Sequence, residues 1–139
     1  MTMAELTQII ETFEFLDDWD DRYAYITELG EQLPDMPAAE MVDANLVHGC
    51  MSKVWVTARL SETASGTVEF HATSDTSIIK GLVAILLSIF ADKTPEQVQN
   101  ADVDKLFKRL GIFDHLSPNR HFGVYAMEQK FKTLAEGLQ

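Results

Sequence analysis

Lys53-Val54-Trp55-Val56-Thr57-Ala58-Arg59-Leu60, a turn over residues 61–66, and then Thr67-Val68-Glu69-Phe70-His71-Ala72-Thr73 form the stretch on which the fold depends. In the first run Val54, Val56, Ala58 and Leu60 share one face, while Lys53, Trp55, Thr57 and Arg59 share the other. In the second, Val68, Phe70 and Ala72 alternate with Thr67, Glu69, His71 and Thr73. A period of two in both runs, joined by a polar turn, predicts an antiparallel hairpin with one apolar face. Two strands alone are marginal in water, so a third is expected, and residues 45–48 are the candidate. His71 then falls on the surface. Trp19 and Trp55 are packing residues, with an exposed Trp55 available to an interface.

Working outward, Ser74-Asp75-Thr76-Ser77 is rich in helix-capping residues and leads into residues 78–90, which are apolar almost all round. Such a helix is buried on most sides. Gly81 inside it weakens the helix by roughly 1 kcal/mol relative to Ala, which points to a close backbone approach. A helical stretch led by Pro95 follows, then a short helix over residues 102–110 closed by Gly111. Ser117-Pro118 opens a last helix with Val124, Met127, Phe131, Leu134 and Leu138 on one stripe. On the other side of the hairpin, Thr2-Met3-Ala4-Glu5 has capping-box spacing ahead of Leu6, Ile9, Ile10, Phe13 and Leu16. A second helix starts near Asp17 or Asp18, and Pro34 and Pro37 end it. Helices, a small antiparallel sheet of about three strands, then more helices make an α+β fold. No repeat or linker interrupts the chain, so residues 1–139 are expected to form a single domain.

Hydrophobic residues at 46% and charged residues at 24% of 139 exclude wholesale disorder. A domain of this length buries enough surface to need no disulfide or metal staple. Residues 78–91 contain Lys80 and fall short of the roughly 20 apolar residues that span a bilayer, so no membrane association is expected. The opening is acidic and helical in pattern rather than a basic-then-apolar leader, which makes the cytoplasm the expected location. The net charge of −11 is unevenly placed: residues 1–45 hold twelve acids and one base, Arg22, whereas residues 46–139 hold ten of each. A chain so acidic, with no basic stripe, excludes nucleic acid as a partner. Asp17-Asp18-Trp19-Asp20-Asp21 reads as a solvated helix start favoured by the macrodipole, or as a dock for a basic protein.

Cys50 is the chain's lone cysteine, so no internal disulfide forms. Zinc would need Cys50 with several of His48, His71, His115 and His121, and no CxxC or HxxxH pairing supports it; no metal is expected. An iron–sulfur cluster usually takes four thiolates. No Gly-rich phosphate loop, G-x-S-x-G elbow or HExxH occurs. Cys50 lies in Val47-His48-Gly49-Cys50-Met51-Ser52, between the candidate first strand and the hairpin. It is either a small buried hydrophobe or a nucleophile presented at a loop tip, where Gly49 permits a positive φ. At a reference pKa of ~8.5, about 3% of such a thiol is ionised at pH 7, and His48, Lys53 or a nearby Arg would raise that fraction. Two classes of function follow from the residues alone: a non-catalytic acidic interaction module in which Cys50 is structural, and a thiol hydrolase.

Four ordered blocks bring a resemblance. They are Trp19-x-x-Arg22-Tyr23-x-Tyr25-Ile26-x-Glu28-Leu29-Gly30, Val47-His48-Gly49-Cys50-Met51-Ser52-Lys53-Val54-Trp55, Ser74-Asp75-x-x-Ile78-Ile79-Lys80-Gly81-Leu82, and Leu116-Ser117-Pro118-Asn119-Arg120-x-x-Gly123. With them the chain resembles the SufE/CsdE family of sulfur-acceptor proteins over nearly its whole length. The resemblance implies the α+β fold shared with U-type iron–sulfur scaffolds. It also implies that Cys50 accepts persulfide sulfur from a cysteine desulfurase, stimulates that enzyme, and passes the sulfur to an iron–sulfur scaffold. On this view the chain is a carrier and activator rather than an independent turnover enzyme. It has no cofactor of its own, since the pyridoxal phosphate belongs to the desulfurase. Asp75 and Arg120 match polar positions near the acceptor and are expected to support it, as is Gly49. His48 stands where the family often has glutamine, and a role for it in tuning the thiol is inferred from this chain alone. Gly49 and its apolar neighbours further suggest a loop that exchanges between a packed and a partner-facing state.

Overall fold

The computed structural model describes residues 5–49 and 51–139. Thr2, Met3 and Ala4 of the expected capping box lie outside the described residues. Helix α1 spans Leu6–Phe15 and buries Ile9 and Phe13. Helix α2, Trp19–Glu31, starts behind Asp18, whose carboxylate accepts the Asp20 N–H at 2.9 Å, with Asp20 and Asp21 in the first turn. The acidic run therefore serves the helix start, where unpaired N–H groups and the macrodipole favour negative charge.

Strands β1 (Val54–Leu60) and β2 (Val68–Ser74) pair antiparallel, from Val54 opposite Ser74 to Leu60 opposite Val68. Helix α3, Ser77–Phe90, follows directly and is buried at every residue from Gly81 to Phe90. It packs against α2, β2 and α1, as its all-round apolarity requires. Where α2 crosses α3 the backbones nearly touch: a Cβ on Gly81 would lie 2.1 Å from the Ile26 carbonyl oxygen. The sequence reading of Gly81 as a close approach is borne out.

Helices α4 (Pro95–Asn100), α5 (Val103–Leu110) and α6 (Pro118–Glu136) complete the chain. Gly111 ends α5 at φ +71°, a left-handed cap that glycine adopts without a Cβ penalty. α6 lies on α4 and β1 and feeds Phe131 into the core. There Phe131 stacks on Phe90 with ring centroids 5.1 Å apart and meets the edge of Phe70 at 4.8 Å. The fold is α+β, as expected.

Two expectations need correction. The third strand is reduced to one bridge, Leu46 opposite Trp55, with the Val47 N–H on the Val54 carbonyl. Residues 43–45 form a 3₁₀ turn and residues 48–49 another turn, so only two residues stay extended between them. Trp55 is 8% exposed rather than open to an interface. The connection after α2 runs along the free edge of β1 at this end, where Leu46 bridges Trp55, and Glu40 accepts the Thr57 hydroxyl. Val54, Trp55 and Val56 are consequently buried in succession, and the alternation holds only farther along β1. His71 is exposed beside Glu69, as read.

Candidate functional site

Cys50 lies outside the described residues, so the site is defined by what holds its loop on either side. On the N-terminal side, Gly49 has φ +95°, a conformation L side chains rarely adopt. A Cβ built there would lie 3.4 Å from the Ala126 methyl, which brings this flank of the loop against α6. His48 is exposed in the same turn and makes no hydrogen bond or ion pair among the described residues.

The C-terminal flank is pinned by the residues that join β2 to α3. Asp75 Oδ1 accepts the Lys53 N–H at 3.1 Å, and the Asp75 N–H donates to the Lys53 carbonyl at 3.2 Å. The Ser74 hydroxyl donates to that carbonyl as well, at 2.8 Å. Thr76 Oγ1 lies 3.0 Å from Ser52 Oγ. The tetrad read as helix-capping therefore behaves otherwise. Thr76 sits at the cap position of α3 yet makes no side-chain cap, because the polar groups of residues 74–76 turn back to the loop stem.

Across from this stem, Ser117 caps α6, its Oγ accepting the Arg120 N–H at 3.3 Å. A cleft of about 420 Å³ between the two is lined by Met51, Ser52, Ile79, Ser117, Asn119 and Arg120. Arg120 is exposed and forms no ion pair among the described residues, so its guanidinium is available to an anion in the cleft. Met51 is 82% exposed, an apolar side chain held in water beside the cleft. Farther along the same helix Phe122 is 67% exposed.

The start of α6 is anchored from below. Tyr125 donates to Asp104 Oδ1 at 2.6 Å, and Lys108 pairs with the same carboxylate at 2.8 Å. The Lys108 ammonium and then the Tyr125 hydroxyl hold the Asp104 carboxyl below its ordinary range, and the carboxylate in turn raises the Tyr125 phenol. These groups are exposed, so they orient the helix more than they stabilise it.

Of the residues singled out in the sequence, Gly49, Asp75 and Arg120 surround the loop and its cleft, while His48 stands apart from the cleft. Ser52, Thr76, Ser74 and Asn119 were missed. For Ser52, Ser74 and Thr76 the signal lay in the hairpin register, since Val54 opposite Ser74 continues outward to Lys53 opposite Asp75 and Ser52 opposite Thr76; Asn119 lies on α6 and had no such signal. Among the described residues no three His, Asp or Glu side chains converge as metal ligands. No described helix is long and apolar enough to cross a membrane.

The family model described as SufE, Fe-S metabolism associated domain, matches residues 7–135. An uncharacterized SufE-like protein of Rhizobium meliloti (strain 1021) is 41% identical over 136 residues, covering 97% of each chain. A second, from Rhizobium etli, is 36% identical over 135 residues, covering 96% of this chain and 91% of the relative. The solution structure of a hypothetical protein from Thermus thermophilus superposes with a TM-score of 0.75 over 99% of this chain and 97% of that one. At 20% identity that last likeness concerns the fold alone.

Proposed function

This chain belongs to the SufE family of Fe-S metabolism associated domains, and from that premise we propose that it is a sulfur carrier whose acceptor is Cys50. The Cys50 thiolate attacks the outer sulfur of a persulfide on a cysteine desulfurase. A new S–S bond forms on Cys50 as the enzyme's S–S bond breaks. The enzyme leaves as thiolate and the terminal proton stays with the transferred sulfur. No net oxidant or reductant is consumed. Passing that sulfur onward to an iron–sulfur scaffold repeats the same exchange in the other direction, and taking it away stimulates the desulfurase.

The observation that carries this reading is a single cysteine flanked in the chain by a positive-φ glycine and by a stem pinned by Asp75, with Met51 and Ser52 of that stem lining a cleft that Arg120 shares. A lone thiol suits a carrier, because a second cysteine would attack the persulfide and expel sulfide. Arg120 supplies positive charge for a thiolate or persulfide anion, and Asp75 fixes the stem of the loop that contains Cys50. Residues 1–139 act as one cytoplasmic domain, and the pyridoxal phosphate of the reaction belongs to the partner.

The test is an intact-mass measurement after incubation with a cysteine desulfurase, pyridoxal phosphate and cysteine. The wild-type chain gains the mass of one sulfur atom, lost on reduction, and Cys50→Ser gains none. Equal stimulation of the desulfurase by the Cys50→Ser chain would overturn the reading. Turnover of a model ester without desulfurase would favour the hydrolase instead.

A further inference from the structure

A threonine at a helix cap position normally turns its hydroxyl oxygen to the N–H of the second or third helical residue, which is worth about 1 kcal/mol. Thr76 occupies that position, with extended φ −117° and ψ 125°, and makes no such bond. Its Oγ1 lies instead 3.0 Å from Ser52 Oγ and 3.1 Å from Asp75 Oδ1. A hydroxyl has one proton to give, so these two acceptors compete for it. Asp75 Oδ1 also takes the Lys53 N–H. Residues 52 and 53 on one side are thereby tied to residues 75 and 76 on the other, and the tie ends two residues short of Cys50. Forgoing a helix cap is the kind of broken local rule that marks a functional constraint.

We infer that Thr76 is a positioning residue: its hydroxyl, diverted from capping α3 to Ser52, fixes the stem at residues 52 and 53 that leads into Cys50. This rests on the carrier reading above. Without the tie Ser52 is no longer held to the start of α3 and the stem is anchored only from Lys53 onward. A looser stem leaves fewer encounters in line for attack on the incoming persulfide.

The experiment compares Thr76→Val, which keeps shape and removes the hydroxyl, with Thr76→Ser, which keeps the hydroxyl, and with Ser52→Ala. Amide hydrogen exchange of the full chain, without desulfurase, reads the tie. Exchange at Lys53 rises about fivefold in Thr76→Val, the factor that corresponds to one hydrogen bond. Ser52→Ala matches it, the double variant goes no further, and Thr76→Ser stays at the wild-type rate. Because the tie is lost and no cap with it, the thermal midpoint of Thr76→Val falls no further than that of Ser52→Ala. A lowered midpoint with unchanged Lys53 exchange, or Thr76→Ser behaving as Thr76→Val, overturns the inference. In the desulfurase assay, sulfur loading of Thr76→Val at saturating enzyme falls severalfold while the half-saturating concentration stays the same. Loading present in wild type and unaltered in Thr76→Val overturns the positioning role alone. Loading absent already in wild type overturns the carrier reading.

Discussion

At the break between α1 and α2, Arg22 sends Nε to the Leu16 carbonyl at 2.8 Å and Nη2 to the Phe13 carbonyl at 2.9 Å. Its guanidinium carbon lies 5.1 Å from the centre of the Trp19 ring. The last carbonyls of a helix have no partner within it, and α1 has no basic residue in its own last turn. Arg22 supplies what α1 lacks, from the first turn of the next helix. Lysine cannot replace it, since one ammonium cannot serve both carbonyls with the fork geometry of a guanidinium. Arg22→Lys is expected to lower unfolding free energy by about 1–2 kcal/mol, as one charge-assisted hydrogen bond is lost. Urea denaturation checks this: the midpoint falls and the slope stays constant. An unchanged midpoint would mean that water satisfies those carbonyls equally well. None of this role was legible in the sequence, where Arg22 stands as one base among twelve acids and as a member of the first resemblance block. The two acceptors lie six and nine residues back, across a break whose angle no local pattern specifies.

At the scale of elements, periodicity located α2, α3, β1, β2 and α6 because each buries one face or all of itself against something large. The third strand failed because alternation over residues 45–48 does not reveal the 3₁₀ turn and glycine turn that shorten it. Trp55 packs, as read, and only its interface alternative fails, for a related reason: a period of two assigns a face but does not say what covers it. The site was half legible. Gly49, Asp75 and Arg120 stood out as residues, but Ser52 opposite Thr76 emerges only when the hairpin register is carried past the strand ends. The close approach at Gly81 was the most legible feature, because glycine in an apolar helix is costly without a packing reason, though only the structure identifies α2 as the partner. It yields a sharp prediction. Gly81→Ala gains about 1 kcal/mol of helix propensity yet drives a methyl group to 2.1 Å from the Ile26 oxygen. Overpacking against backbone costs about 3 kcal/mol or more, so clash wins and the variant is strongly destabilised. Thermal unfolding decides it. A stabilised Gly81→Ala chain would mean that the helices separate at little cost.

For the whole molecule the question is what a net charge of −11 does to a chain whose second part, residues 46–139, is neutral. The surplus falls on α1, α2 and the connection that follows, so like charges crowd one part of the fold. Two electrostatic effects oppose each other there. Exposed ion pairs such as Arg59–Glu69, Lys108–Asp104 and Arg109–Glu14 are stabilising, and salt weakens them. They are solvent-exposed, and many such pairs contribute nothing measurable. Self-repulsion among the unpaired acids destabilises the compact state, and salt relieves it. With 22 acids and only 11 bases, repulsion outnumbers attraction at the surface. Some acids are already compensated, since Asp18, Asp20 and Asp21 sit at the start of α2, where its dipole favours them. Repulsion still dominates, because that compensation reaches only the first turn. Raising ionic strength from about 0.01 M to 0.15 M shortens the screening length from about 30 Å to 8 Å. The thermal midpoint is expected to rise over that range by roughly 2–5 °C, equivalent to about 1 kcal/mol. A scan in sodium chloride at neutral pH measures it. A midpoint that falls with salt would show that the ion pairs outweigh the repulsion, and that the acidic part of the chain holds more compensating contacts than its sequence implies.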